Sequence, residues 1–149
     1  MLVTNHVLSG AVIGAITRRP GSAFVLGVAS HFVLDAMPHW GKWASRSRFM
    51  RVAVPDGLTG LATIAAMTAI APPSARAAVL AGMAGAALPD LDKPSHIYFG
   101  RSPFPPAVDR FHNAIQNEAP GRAHYEAGAA VLFGLTALAL LRGRPRGRC

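Results

Sequence analysis

His31 and Asp35 stand four residues apart, with Gly27 four before them and His39 four after. On an α-helix, residues at i and i+4 share a face. An imidazole nitrogen and a carboxylate oxygen would then lie side by side, a donor pair suited to zinc, manganese or iron. The plainer reading of this spacing is a histidine held by a neighbouring carboxylate without any ion. Asp90 and Asp92 flank Leu91 directly after Pro89, where an extended turn would let both carboxylates reach inward. Asp35 and Asp90 fall at predicted helix C-termini, whose partial negative charge disfavours a carboxylate and is relieved by a cation. The expected ligands are therefore His31, Asp35, Asp90 and Asp92, with His6 or His39 completing the shell around a divalent metal. Zinc comes first, with manganese or iron as alternatives. His112 and Glu126 are candidate catalytic groups that would move protons. Glu126, like Asp56, also has the bland reading of an acid in a helix's first turn.

The elements that must position these groups are apolar. Of 149 residues, 51% are hydrophobic and only 15% charged, too apolar a balance for an ordinary soluble domain. Residues 57–75 and 127–141 carry no ionisable group, and with their flanks each approaches the roughly 20 residues that cross a bilayer. Shorter apolar runs at 7–17, 21–34 and 77–89 fit between such neighbours. Caps and prolines predict helices over about 5–17, 22–37, 54–71, 75–88 and 122–141. Thr4 is the expected first N-cap, Pro55 a first-turn residue, and Gly10-xxx-Gly14 a close-packing face. Ala77, Ala81 and Gly85 form a similar small-residue row on the fourth helix.

Between the last two spans, Pro105-Pro106 opens a segment in which Val108, Phe111, His112 and Ile115 share a face, as a short interfacial helix would. The fold class expected is all-α, an integral membrane bundle of about five helices plus that interfacial helix. Residues 1–141 form a single membrane-embedded domain, and 142–149 a basic, disordered tail. The opening MLVTN lacks the basic start of a cleaved signal peptide, so the N-terminus is expected to stay. Cys149, the single cysteine, has no internal partner.

Five helices alternating in direction would sort the charges. One end receives Arg18, Arg19, Arg76, Arg142, Arg144, Arg146 and Arg148 with no acid or histidine. The other receives all seven acids, all six histidines and eight Lys/Arg. The arginines of the acid-free end lie in the shorter segments, which favours that end as the cytoplasmic one. A net charge of +8 and the RGRPRGR tail admit nucleic acid. A basic tail after an apolar span is better read as a topology signal or a contact with anionic lipid. Membrane lipids are thus the expected partners, and a nucleic-acid partner is not expected.

The segments TNHVLSGAVIGA, SHFVLDAMPH, GAALPDLDKP and FHNAIQNEAPG together resemble small bacterial inner-membrane proteins catalogued as metal-dependent hydrolases. The likeness covers most of the chain outside the tail and centres on His6, the Asp90/Asp92 turn and His112. The His-Arg-Gly-x-Thr-His-Ser segment usual after that turn is replaced by FHNAIQNE. The His-x-x-x-Asp helix is also locally similar to the zinc-ligand helix of zinc-dependent phospholipases C. These resemblances imply a multi-pass inner-membrane protein with a metal site and hydrolytic chemistry. Trp40, Trp43, Tyr98 and Tyr125, aromatics typical of head-group depth, would suit a lipid or lipid-linked phosphoester or ester as substrate. The alternative is a non-enzymatic membrane protein whose His/Asp cluster is a structural or partner-binding site. Transport is least favoured, because no polar group lies mid-span.

Overall fold

Proline and glycine punctuate the chain. Arg18 ends the first helix in the left-handed region (φ 56°), donating its N–H to Gly14 O at 3.1 Å. Pro20 then opens the second helix, which stops where Met37 precedes Pro38. The computed structural model describes residues 1–142 and is all-helical apart from two short strands. In order the elements are α1 (Val3–Thr17), α2 (Pro20–Ala36), β1 (His39–Trp40), α3 (Arg46–Ile70) and α4 (Pro73–Ala87). A 3-10 turn (Leu88–Leu91), α5 (Asp92–Phe99), α6 (Pro106–Ile115), β2 (Glu118–Ala119) and α7 (Ala123–Arg142) follow. The expected tail, past Arg142, lies outside the described residues.

Three expectations need correction. The third helix begins at Arg46, well before Pro55, because Ser45 caps it by accepting the Arg48 N–H at 3.2 Å. Pro55 lies inside the helix with its ring toward the exposed side, so Asp56 is not in a first turn. Asp90 sits on a 3-10 turn and Asp92 opens α5 directly after it, so neither lies on an extended turn. The buried side of α4 is Ala75, Ala78, Val79, Gly82, Met83, Gly85 and Ala86, so Gly85 of the expected row lies on it while Ala77 is exposed and Ala81 half-buried.

α4 is the central helix, and glycine lets its neighbours touch it backbone to backbone. A Cβ on Gly82 would lie 2.3 Å from Gly10 O, and one on Gly10 would lie 2.4 Å from Gly82 O. On the α2 side, a Cβ on Gly85 would lie 2.2 Å from Phe24 O and one on Gly27 would meet Gly82 O at 2.4 Å. Small residues thus replace side-chain interdigitation at the α1/α4 and α2/α4 contacts. Val7, Ala11, Met67, Val79, Met83 and Ala137 fill the remaining core.

Thr4 does not cap α1. The first turn is capped from other helices: Asp56 on α3 accepts from Val3 N (2.7 Å) and Thr4 N (3.2 Å), and Glu126 on α7 accepts from Leu2 N (3.1 Å). Thr4 Oγ1 donates to Asp56 Oδ1 at 2.6 Å, and Asn5 Nδ2 donates to Glu126 Oε2 at 2.6 Å. Carboxylates at a helix N-terminus satisfy orphan N–H groups and suit the dipole. They also bring the starts of α1 and α7 and the first half of α3 to one level.

Substitution of Gly82 by Val should destabilise the protein by about 1–3 kcal/mol or prevent folding, because neither backbone can yield. Gly128→Ala, where an added Cβ meets nothing within 4 Å, should be neutral or mildly stabilising. Denaturation of the detergent-purified variants checks this; equal melting of both would contradict the backbone contact.

Candidate metal centre

Close packing at Gly27 brings His31, one turn later on α2, against the end of α4. There its Nδ1 lies 2.8 Å from Ala86 O. A carbonyl only accepts, so Nδ1 carries the proton and Nε2 presents its lone pair. His112 is carried in by α6, its ring edge-on to Phe32 at 5.7 Å between centroids. The segment after α6 is pinned to α2: Asn117 N donates to Asp35 O at 2.9 Å, and β2 pairs in parallel with β1 through His39↔Glu118. His112 Nδ1 lies 3.2 Å from Asp92 Oδ2, so this ring too turns Nε2 inward.

Three acceptor atoms therefore converge. His31 Nε2 and His112 Nε2 are 3.0 Å apart, and Asp35 Oδ2 is 3.2 Å from the first and 3.0 Å from the second. Asp90 Oδ1 stands 3.9 Å from His31 Nε2 and 4.0 Å from His112 Nε2. All four residues offer an atom within 4.8 Å of the others, and His31, Asp35 and His112 are buried. In a tetrahedral zinc site, bonds of about 2.0–2.2 Å place ligand atoms about 3.4 Å apart. The group could hold a metal ion, with two imidazole nitrogens and two carboxylate oxygens.

A proton can also relieve the convergence. Burial works against a charged His112 ring, but hydrogen bonds to Asp35 and Asp92 outweigh it and raise its pKa to about 9. Asp90 is likewise pushed up by burial, yet the Lys93 ammonium beside it brings it down to about 2. Asp90 is thus a carboxylate paired with Lys93. A metal would compete with the His112 proton.

The other expected residues take different places. His6 is fully buried, stacked on His31 at 3.9 Å, with Nε2 3.1 Å from Asp35 Oδ1. It orients the carboxylate from behind. Asp92, expected as a ligand, holds His112 instead, and His112, expected to shuttle protons, stands among the ligands because α6 folds back over α2. His39 Nδ1 donates to Met37 O at 2.9 Å, leaving Nε2 4.0 Å from Asp35 Oδ1 and 3.7 Å from Glu118 Oε1. It flanks the group without joining it. Glu126 lies outside the group, spent on the α1 cap and on the Trp40 N–H at 3.2 Å.

Two residues here escaped the sequence reading. Gln116 Nε2 lies 3.1 Å from His112 Nε2 and 3.4 Å from Asp35 Oδ2. Its i+4 spacing from His112 was the available signal. Lys93 has its partner Asp90 three residues away on the same turn. The Met1 amino nitrogen, 2.5 Å from Asp35 Oδ1, adds a further donor on that side of the carboxylate.

Comparison with protein families, with curated proteins and with solved structures finds no match to this chain.

If Asp92 fixes the His112 ring, Asp92→Asn should lower metal affinity about 10–100-fold, as loss of such an outer partner does. His39→Ala should leave affinity unchanged. Competition titration with a chromophoric chelator distinguishes them, and a larger loss for His39→Ala would contradict the assignment.

Proposed function

We propose that this protein is a multi-pass inner-membrane hydrolase in which His31, Asp35, Asp90 and His112 hold a divalent metal, zinc first, at the bilayer interface. The observation that carries the reading is the convergence of His31 Nε2, His112 Nε2 and Asp35 Oδ2 within 3.0–3.2 Å, each lone pair turned inward. The resemblance to the inner-membrane hydrolases supports it. A bound metal would lower the pKa of a water toward about 7 and polarise a phosphoryl or acyl oxygen. Asp90, the most distant of the four from the imidazoles, is the ligand that would yield a position to that water. His6 and Asp92 keep Asp35 and His112 in position.

Membrane embedding rests on what faces outward. α3 and α7 are long and apolar enough to cross a membrane, yet only 11% and 17% of their apolar windows are buried within the protein. Ile16, Val25, Val33, Leu61, Val131 and Leu135 are all at least 60% exposed, an arrangement that hydrocarbon favours and water does not. α1, α2 and α4 complete the five-helix bundle, with α6 lying on its polar end. The substrate proposed is a lipid or lipid-linked phosphoester or ester.

A non-enzymatic lock is the second reading. What favours it is the raised pKa of His112, since an imidazolium shared between Asp35 and Asp92 needs no metal.

Metal content separates the two readings. Protein purified without chelator and resupplied with zinc should carry about one ion per chain; His112→Ala and Asp35→Asn should carry far less and hydrolyse no phosphoester. Occupancy near zero in all three favours the lock. For topology, single cysteines at Ser45 and Ser74 in a Cys149→Ser background should label from opposite faces of sealed vesicles. Labelling of both from one face would contradict alternation of the helices.

A further inference from the structure

The candidate metal ligands do not account for a cleft of about 520 Å³ that opens beside them. It separates α3 from the 3-10 turn and α5, and α1 forms its back wall through Val3 and Val7. Its volume falls in the range of sites that take small-molecule ligands. The lining is mostly apolar; of its charged side chains Asp56 is spent on the α1 N–H groups and Glu118 faces His39, and Lys93, the one basic side chain, stands beside Asp90. Leu58, Leu61 and Ile64 continue the apolar wall along α3, away from Asp90, over six residues or about 9 Å of helix. Leu58 and Leu61 are 64% and 65% exposed, and Tyr98 across the cleft 68%. Trp40 and Trp43 close the polar end, their rings 4.6 Å apart.

We propose that this cleft seats the hydrocarbon chain of a single-chain phosphorylated lipid, with its phosphate at Lys93 beside the metal ligands. The inference deepens the hydrolase reading and rests on it for the role of Asp90. Asp90 belongs to both the ligand group and the cleft. A chain lying along Leu58, Leu61 and Ile64 therefore ends its head at the chemistry. The Lys93 ammonium is paired with Asp90. A cation held by Asp90 would compete with Lys93 for that carboxylate and leave the ammonium an anionic oxygen to meet. A neutral head would leave it unpaired and partly buried, which selects phosphate over an uncharged ester. The chain's route from the bilayer is sideways, past α3, because the exposed leucines lie there.

The test uses the tryptophans, the only two in the chain and both in the cleft wall. A single-chain acylglycerol phosphate brominated along its acyl chain is titrated into detergent-purified protein, with and without zinc, while tryptophan fluorescence is followed. The same brominated chain on glycerol without phosphate, and inorganic phosphate alone, are the comparison arms. Saturable quenching by the phosphorylated lipid is expected, at least tenfold tighter than by the phosphate-free lipid, with no effect of inorganic phosphate. Lys93→Gln should abolish the difference between the two lipids and Lys93→Arg should restore it. Leu61→Asp, on an exposed position, should weaken both lipids alike while leaving zinc content unchanged. Unsaturable quenching proportional to lipid, or equal affinity for both lipids in the wild type, would overturn the proposal. Zinc content is read on the same samples, so a protein that binds this lipid saturably but no zinc would sink the metal reading and leave the lipid site standing.

Discussion

Asp35 is a carboxylate with no exposure to solvent, and the polar end of this protein is organised around keeping it satisfied. An isolated buried charge costs several kcal/mol, and that cost is offset only by partners in good geometry. One oxygen faces His6 and the Met1 amino group, and the other faces His31, His112 and Gln116. These partners come from α1 and the residues before it, from α2 and α6, and from the segment beyond α6. Its own main-chain carbonyl receives Asn117, which sets the short β1/β2 pairing. Removing the charge would therefore loosen several elements at once.

The helices can converge on this residue because the middle of the bundle uses almost no side-chain volume. Gly10, Gly27, Gly82 and Gly85 put the backbones of α1 and α2 directly on α4. That contact delivers His31 to Ala86 O and so fixes which ring nitrogen turns inward. Packing thus selects a tautomer, and the tautomer decides that lone pairs rather than N–H groups meet at the centre. A metal or a proton must then occupy that point. Distances near the spacing of a tetrahedral site suit the metal, and the hydrogen bonds to Asp35 and Asp92 that raise the His112 pKa to about 9 suit the proton.

Much of this was legible in the sequence, for physical reasons that can be named. Helix periodicity put His31 and Asp35 on one face, and alternation of apolar runs put His6 and Asp90 at their level. The i+4 spacing of Gly10 and Gly14 marked a close contact that the backbone distances show. The role of His112 was not legible, because it depends on how α6 folds back over α2. Nothing local encodes that path except the pairing of 39–40 with 118–119, too short to give a strand signal. The start of α3 is obscured because Pro55 is a strong first-turn signal and outweighs the equally local cap at Ser45, which accepts from Arg48 N three residues on. Asp56 and Glu126 carried the signal of helix-start acids, but the helix start that they serve is that of α1.

The central claim is that two imidazoles and two carboxylates share one ion. X-ray absorption at the zinc edge of the zinc-loaded protein tests it most directly. Four nitrogen or oxygen neighbours at about 2.0–2.2 Å are predicted. Two of them should show the outer scattering of imidazole, and the little zinc that His112→Ala retains should show one. A six-oxygen shell without imidazole scattering, or an imidazole count unchanged by His112→Ala, would contradict it.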